Sequence, residues 1–424
     1  MSEAASTRGA RAPRRLLLAV ATLLIGAALW LAASRWLLPT TVPSGLRLPH
    51  LDPARFFSRA YLARSASYER FLDIDALLAE LTLLAVLCVY ALRGHRLMRE
   101  SAAGPIGTGM MLGMLGFAVV WIAELPFGLA GVWWERRHGV SHQGYVSWTL
   151  ESFAALGGRF LFVSLALLVA MGLARFLRGW WWVAAVPAFA GLALLSAFLS
   201  IYLIPSVHPL RDHVLLAEAQ TLARVEGVPG TKVEVQEVSR FTTAPNAESV
   251  GFGPTRRVIL WDTLLHDGFS RREVRAVVAH ELGHVSRKHI LKGVGWLALL
   301  LIPATALIAI ATRGRGGMAR PEAVPVALLV LVALMLVLAP LRNVISRRVE
   351  AEADWVALRA THDPAGARAL LRRLATTSLS DPNPPSWSYV LDADHPTIMQ
   401  RLAMTEAWEA DRGGRSSISS LTRP

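Results

Sequence analysis

Apolar positions run in long, nearly unbroken blocks rather than at helical or strand spacing. Blocks of that length predict membrane-spanning helices. They lie near Leu16 to Leu38, Asp75 to Leu92, Ile106 to Ile122, Phe160 to Leu173, Trp180 to Ile204, Val294 to Thr312 and Val324 to Ile345. Glu80 interrupts the second block, and the fourth is short unless Arg159 snorkels to the bilayer boundary. Arg14 and Arg15 precede the first block, which continues to Leu38 without a small-x-small site and so reads as an uncleaved anchor. Polar loops are expected from about Pro39 to Leu72 and from Trp133 to Glu151.

After Pro205 the pattern changes. His213 to Arg224 has the periodicity of an amphipathic helix, Lys232 to Val238 alternates as a strand, and Arg257 to Trp261 forms a second strand. Asn246 to Phe252 reads as an edge-like strand between them. The fold expected is mainly α, a polytopic membrane protein of about seven spans carrying a small α+β lobe. Its divisions are a disordered basic tail (1–15), a five-span membrane domain (16–204), a domain that holds the lobe and two spans (205–412, spans 294–312 and 324–345) and a flexible tail (413–424).

A 53% hydrophobic content over 424 residues excludes an ordinary soluble domain. The net charge of +13 comes from 44 basic and 31 acidic residues, and all the basic residues but Lys232, Lys288 and Lys292 are arginines. That bias looks like the drift of a GC-rich bacterial genome and points to a bacterial cell membrane. The arginines punctuate span ends and form no basic stripe with interleaved aromatics, which argues against nucleic-acid binding. Cys88 stands alone, so neither an internal disulfide nor a thiolate zinc cage is available.

The chemistry concentrates in His280-Glu281-Leu282-Gly283-His284. Helix positions i and i+4 lie about 40° apart, so both imidazoles reach one ion. Glu281 stands where a base could take a proton from the water that a zinc ion activates. Ser270 and the spacing of Val274, Val277 and Val278 place the pentad on a capped helix.

Two histidines leave one zinc ion per chain short of a protein ligand. Glu350 is the best candidate, lying just past the seventh span on the side that carries His280, with Asp354 on the same helical face to orient a ligand ring. Glu352 points about 200° away from Glu350 on such a helix and is expected to be solvated. His266, His289 and His362 are expected at the surface. From spacing alone His395 is a loop histidine capping a helix start. With Arg401 it is also a candidate for holding an oxyanion.

These stretches resemble the type I CAAX prenyl endopeptidases, seven-span membrane zinc proteases that cleave behind a prenylated cysteine. The resemblance runs from about Leu125 to Arg401. It is carried by Leu125-Pro-Phe127, Trp134 to Ser141 with Gln143, Asn246 to Phe252, Arg257 to Leu265, the pentad, Glu350 to Asp354, and His395-Pro-Thr397 with Arg401. It implies that 205–412 is a zinc metalloprotease domain with a zincin-like catalytic lobe, and metal ligation by His280, His284 and Glu350. It assigns Glu281, Asp354, His395 and Arg401 to catalysis. Asn246, Ala247 and Val250 would lie on a strand that binds extended substrate, and the spans would enclose a water-filled chamber.

The partners expected are a peptide or protein substrate, lipidated if specificity follows the resemblance, and membrane lipid. The pattern says nothing of oligomeric state. Arginines on the short N-terminal-side connections place that face in the cytoplasm and the zinc lobe outside, whereas eukaryotic relatives work on the cytosolic side. Arg287, Lys288, Lys292, Arg342, Arg347 and Arg348 flank the lobe's face and leave the orientation open. Two other readings keep the same sequence features, a quality-control zinc protease and a seven-span transporter or receptor with a structural metal.

Overall fold

The computed structural model describes residues 20, 24, 26–97, 101–266 and 268–421, without the side chains of 412–421. The expected basic tail and the first part of the first span lie outside them. Helix α1 covers 26–37, and α2 (Arg59–Arg93), α3 (Gly104–His138), α4 (Tyr145–Leu177) and α5 (Trp181–Leu199) follow. A lobe comes next, with β1 (Val207–Pro209), α6 (His213–Val225), β2 (Lys232–Gln236), β3 (Ala247–Val250), β4 (Arg257–Trp261), α7 (Thr263–His266) and α8 (Arg271–Ser286). The chain returns to long apolar helices with α9 (His289–Ala311), α10 (Val324–Val337) and α11 (Ala339–Thr361), and ends with α12 (Pro364–Ser378), α13 (Ser386–Leu391) and α14 (Ile398–Leu421).

The protein is mainly helical with one small sheet. Among the described residues four helical stretches are long and apolar enough to cross a membrane: Arg59–Arg96, Gly104–His138, Tyr145–Tyr202 and His289–Arg315. A fifth exists if Pro321–Val337 and Ala339–Thr361, bent by 51°, form one span. The expected fourth and fifth spans both fall within Tyr145–Tyr202, where Arg178 (φ 49°) and a 3-10 turn separate α4 from α5. The expected seventh span is interrupted between Leu338 and Ala339. Pro340 in the first turn of α11 lacks the N–H that an unbroken helix would use.

The loop expected from Pro39 to Leu72 is only partly a loop. Ser58 accepts a hydrogen bond from the Tyr61 N–H, and α2 starts at Arg59. At the other end, α14 continues to Leu421 through the segment expected to be a flexible tail.

Leu87, Leu112, Val163, Met171 and Val324 fill the packed centre of the membrane half. An added Cβ at Gly113 would meet the Leu167 side chain at 2.4 Å, so α3 and α4 approach as closely as small residues permit. The lobe has its own core, in which Val258, Leu260, Leu264, Val278 and Leu282 pin β4 against α8. The strand order is β1-β2-β4-β3, with β2 and β4 parallel and both outer strands antiparallel to their neighbours. β3 is therefore an edge strand, as its sequence predicts. The connection after α3 is stitched to the lobe just before β3: Ser141 bridges Thr242, and the Thr243 hydroxyl donates to the Val140 carbonyl at 3.1 Å.

Candidate active site

Helix α8 begins with a reciprocal cap. The Ser270 hydroxyl accepts from the Glu273 N–H and the Glu273 carboxylate accepts from the Ser270 N–H. With that end fixed, Val274, Val278 and Leu282 face the lobe core while His280 and His284 emerge on another side of the helix. Helix α11 crosses α8 at Gly283. A Cβ there would lie 3.3 Å from both Cα and the carbonyl oxygen of Ala353, so any larger residue would require the two backbones to ease apart by a few tenths of an ångström. Glu350 is thereby brought to the paired imidazoles.

The Nε2 atoms of His280 and His284 are 3.1 Å apart. Glu350 Oε2 lies 3.2 Å from the first and Oε1 3.5 Å from the second. Ligand atoms of His280, His284 and Glu350 all fall within 4.8 Å of one another. Glu350 Oε2 is buried and accepts no hydrogen bond. Two imidazole nitrogens converging on one carboxylate with an orphaned oxygen are the donor set that a borderline-soft divalent ion takes, so these residues fit a metal.

Each ring nitrogen turned away from that point is also engaged. His280 Nδ1 lies 2.9 Å from Asp354 Oδ1, and Arg401 donates to both oxygens of the same carboxylate, at 2.8 and 2.7 Å. Asp354 thus occupies the orienting place expected of it, and Arg401 reaches the site through Asp354. His284 Nδ1 contacts His289 Nδ1 at 3.0 Å, and His289 Nε2 contacts Glu352 Oε2 at 3.1 Å.

Two expectations are corrected here. His289 is buried, because Lys288 adopts a left-handed conformation (φ 56°) that breaks α8 from α9 and turns the next ring back toward His284. Glu352 does point away from Glu350, but it is buried under the Pro39–Thr41 segment and the start of α9. It accepts from the Thr41 N–H at 2.8 Å and from Lys292 Nζ at 3.2 Å. His266, whose Nδ1 lies 2.8 Å from the Asp262 carbonyl, and His362 are exposed as expected.

Electrostatically the two ligand-like histidines are unlike. Burial disfavours charge on His280, but Asp354 and Glu350 outweigh it and lift the ring to about 10. Burial, with His280 adding to it, pushes His284 down to about 3. Burial pushes the Glu281 carboxyl up to about 7, against the pull of His280 and with help from Glu350 and Glu248. His395 Nδ1 pairs with Asp394 at 2.7 Å, which raises its pKa, and its Nε2 stands 3.3 Å from Glu350 Oε2.

His280, Glu281, Asp354, His395 and Arg401 line one side of a cavity of about 600 Å³. Asn246 and Ala247 line it with His280 and Glu281, as do Asp73 of α2 and Ser388 of α13, whose hydroxyl donates to Asp73 at 3.0 Å. Val250 is not part of this wall. It is buried among Ile201 and Ile259, because alternate side chains of β3 face opposite ways.

The profile described as Peptidase family M48 matches residues 209–409. A Bacillus subtilis protein named "Uncharacterized metalloprotease YhfN" is 26% identical over 87% of this chain and 91% of its own length. The rice "CAAX prenyl protease 1 homolog" is 27% identical over 47% of this chain, and the match spans 48% of the rice protein. Among solved structures, that of S. mikatae Ste24p superposes with a TM-score of 0.66 at 21% identity, covering 90% of this chain and 96% of that one, which shows a shared fold. Residues 209–409 match the model of Peptidase family M48, and the chain is a membrane metalloendopeptidase similar to the type I CAAX prenyl proteases.

Proposed function

We propose that the protein is a zinc endopeptidase whose single zinc ion is held by His280, His284 and Glu350. The observation that carries this reading is the convergence of both Nε2 atoms on the buried Glu350 carboxylate, whose Oε2 has no hydrogen-bond partner, beside a cavity edged by β3. Bound there, zinc supplies Lewis-acid activation of water and of the scissile carbonyl.

The chain's own residues do the rest. Glu281, whose proton affinity burial has raised toward neutrality, accepts the proton of the attacking water and returns it to the leaving amine. Asp354 holds His280 with its Nε2 lone pair free for the ion, and Arg401 fixes Asp354 from behind. His395, the more exposed of the two oxyanion candidates, stands on the cavity side of Glu350 and is placed to donate to a developing oxyanion. An extended substrate pairs with the free edge of β3, its backbone passing Asn246 and Ala247. Val250 serves that strand from the interior.

Seven crossings by α1 to α5, α9 and the α10–α11 pair would make the membrane half. A bacterial cell membrane is the setting supported by the arginine-dominated composition and the Bacillus relative. The names of the plant relatives make a prenylated peptide the first substrate to test. The assay compares one peptide in farnesylated and unprenylated forms, with parent and Glu281→Gln proteins, with and without o-phenanthroline. Cleavage that survives both chelation and Glu281→Gln overturns the zinc-peptidase reading. Equal rates on the two peptides overturn a requirement for the prenyl group.

A further inference from the structure

We propose that Glu352, acting through His289, positions the metal-binding ring of His284, and that the Pro39–Thr41 segment at the start of the loop after α1 holds Glu352 in place. The inference rests on the zinc-site reading above and adds to it a set of positioning residues.

Glu352 is a carboxylate surrounded by donors. Oε1 accepts from the Thr41 N–H at 2.8 Å, and Oε2 accepts from Lys292 Nζ at 3.2 Å and faces His289 Nε2 at 3.1 Å. A carboxylate accepts only, so His289 must carry its proton on Nε2. The Nδ1 of a neutral His289 is then a lone pair, and it faces His284 Nδ1 at 3.0 Å. His284 must therefore place its proton on Nδ1, which frees Nε2 to face Glu350 and His280. One ligand ring is thus set directly by a carboxylate (Asp354 on His280) and the other at one remove, through a second imidazole.

The geometry also says why these groups are buried together. His289 and Glu352 are each about 4% exposed at the side chain, and Lys292 spans from Glu352 to the Pro39 carbonyl at 3.3 Å. Three separated parts of the chain meet there: the segment after α1, the first turn of α9, and the face of α11 opposite Glu350. Ligand geometry thereby depends on a segment more than 300 residues from Glu352 in sequence.

The test measures zinc affinity by chelator competition on the full-length protein in detergent. His289→Phe keeps a buried ring but deletes the acceptor, and is expected to weaken zinc binding about 10- to 100-fold. His289→Asn places an amide oxygen near the former Nδ1 and should recover most of that loss, which filling space alone would not do. Glu352→Gln must aim an amide nitrogen at either the Thr41 N–H or the His289–Lys292 pair. It should weaken binding as well, and it carries the test if His289→Phe does not fold. The Co2+-substituted proteins should show altered visible absorption in His289→Phe and parental absorption in His289→Asn. Folded variants that bind zinc with parental affinity would overturn the proposal. A parent that binds no zinc, or a His284→Ala protein that binds it as well as the parent, would instead overturn the zinc-site reading.

Discussion

Proton–metal competition at His280 gives the sharpest quantitative test. With Asp354 on one nitrogen and Glu350 near the other, the ring holds a proton up to about pH 10, compared with an ordinary value of 6.5. At pH 7 the ring must release that proton before its Nε2 can bind an ion. Three pH units at about 1.4 kcal/mol each make this cost about 4 kcal/mol, or a thousandfold in affinity. His284, held down to about 3, has no proton to release, whereas Glu281 at about 7 contributes a second only in more acidic solution.

The apparent zinc affinity should accordingly rise about tenfold per pH unit between pH 7.5 and 9, and more steeply below 7. The assay is chelator competition at each pH with parent and Asp354→Asn, since weakening the Asp354 anchor removes much of the shift. Ionisation of water near the ion affects both proteins alike, so the difference between the two curves reports His280. The ion-free protein supplies the converse sign. A raised folded-state pKa stabilises the fold fully below about 6.5, and the contribution fades as pH climbs toward about 10. The unfolding temperature of chelator-treated protein should fall across that window. Parallel curves for the two proteins, or a flat affinity above pH 7.5, would refute the reasoning.

Three further outcomes follow from the same geometry. Glu281→Gln should leave zinc stoichiometry at one per chain and lower kcat about 100- to 10,000-fold, read by metal analysis and peptide cleavage. Asp354→Ala leaves the largely buried Arg401 guanidinium without its bidentate partner and should cost about 3–5 kcal/mol of stability, measured by denaturant unfolding. Gly283→Val forces α8 from α11 against the Ala353 backbone; it should destabilise the fold by about 1–3 kcal/mol and weaken zinc binding, seen in thermal unfolding and chelator competition.

What was legible in the sequence is what local pattern encodes. The pentad, its Ser270 cap, the strands around Val233 and Ile259, and the edge position of Asn246 to Phe252 depend on spacing alone, and each is where that spacing puts it. Glu350 and Asp354 were legible because one helical turn separates them and their helix had to return to the lobe. His289 was not, because five residues past His284 on an unbroken helix lies about 140° away, and the left-handed Lys288 that redirects it has no strong local signal. Glu352 was misplaced for a different reason. Its direction was right, but pattern cannot show that a segment 311 residues away covers that face. The α10–α11 bend was hidden because an apolar run looks alike whether straight or kinked, although Pro340 marks the place.

The division of the ligand set between α8 and α11, with a membrane hairpin intervening, has a bearing on synthesis. A nascent chain that has emerged only as far as the pentad presents two histidines and no third donor, and the rings gain their full complement only after the hairpin has inserted and α11 has docked at Gly283. With Glu350 as the proposed third ligand, a ribosome-bound intermediate is expected to lack a complete metal site, and so proteolytic activity, until its membrane topology is complete.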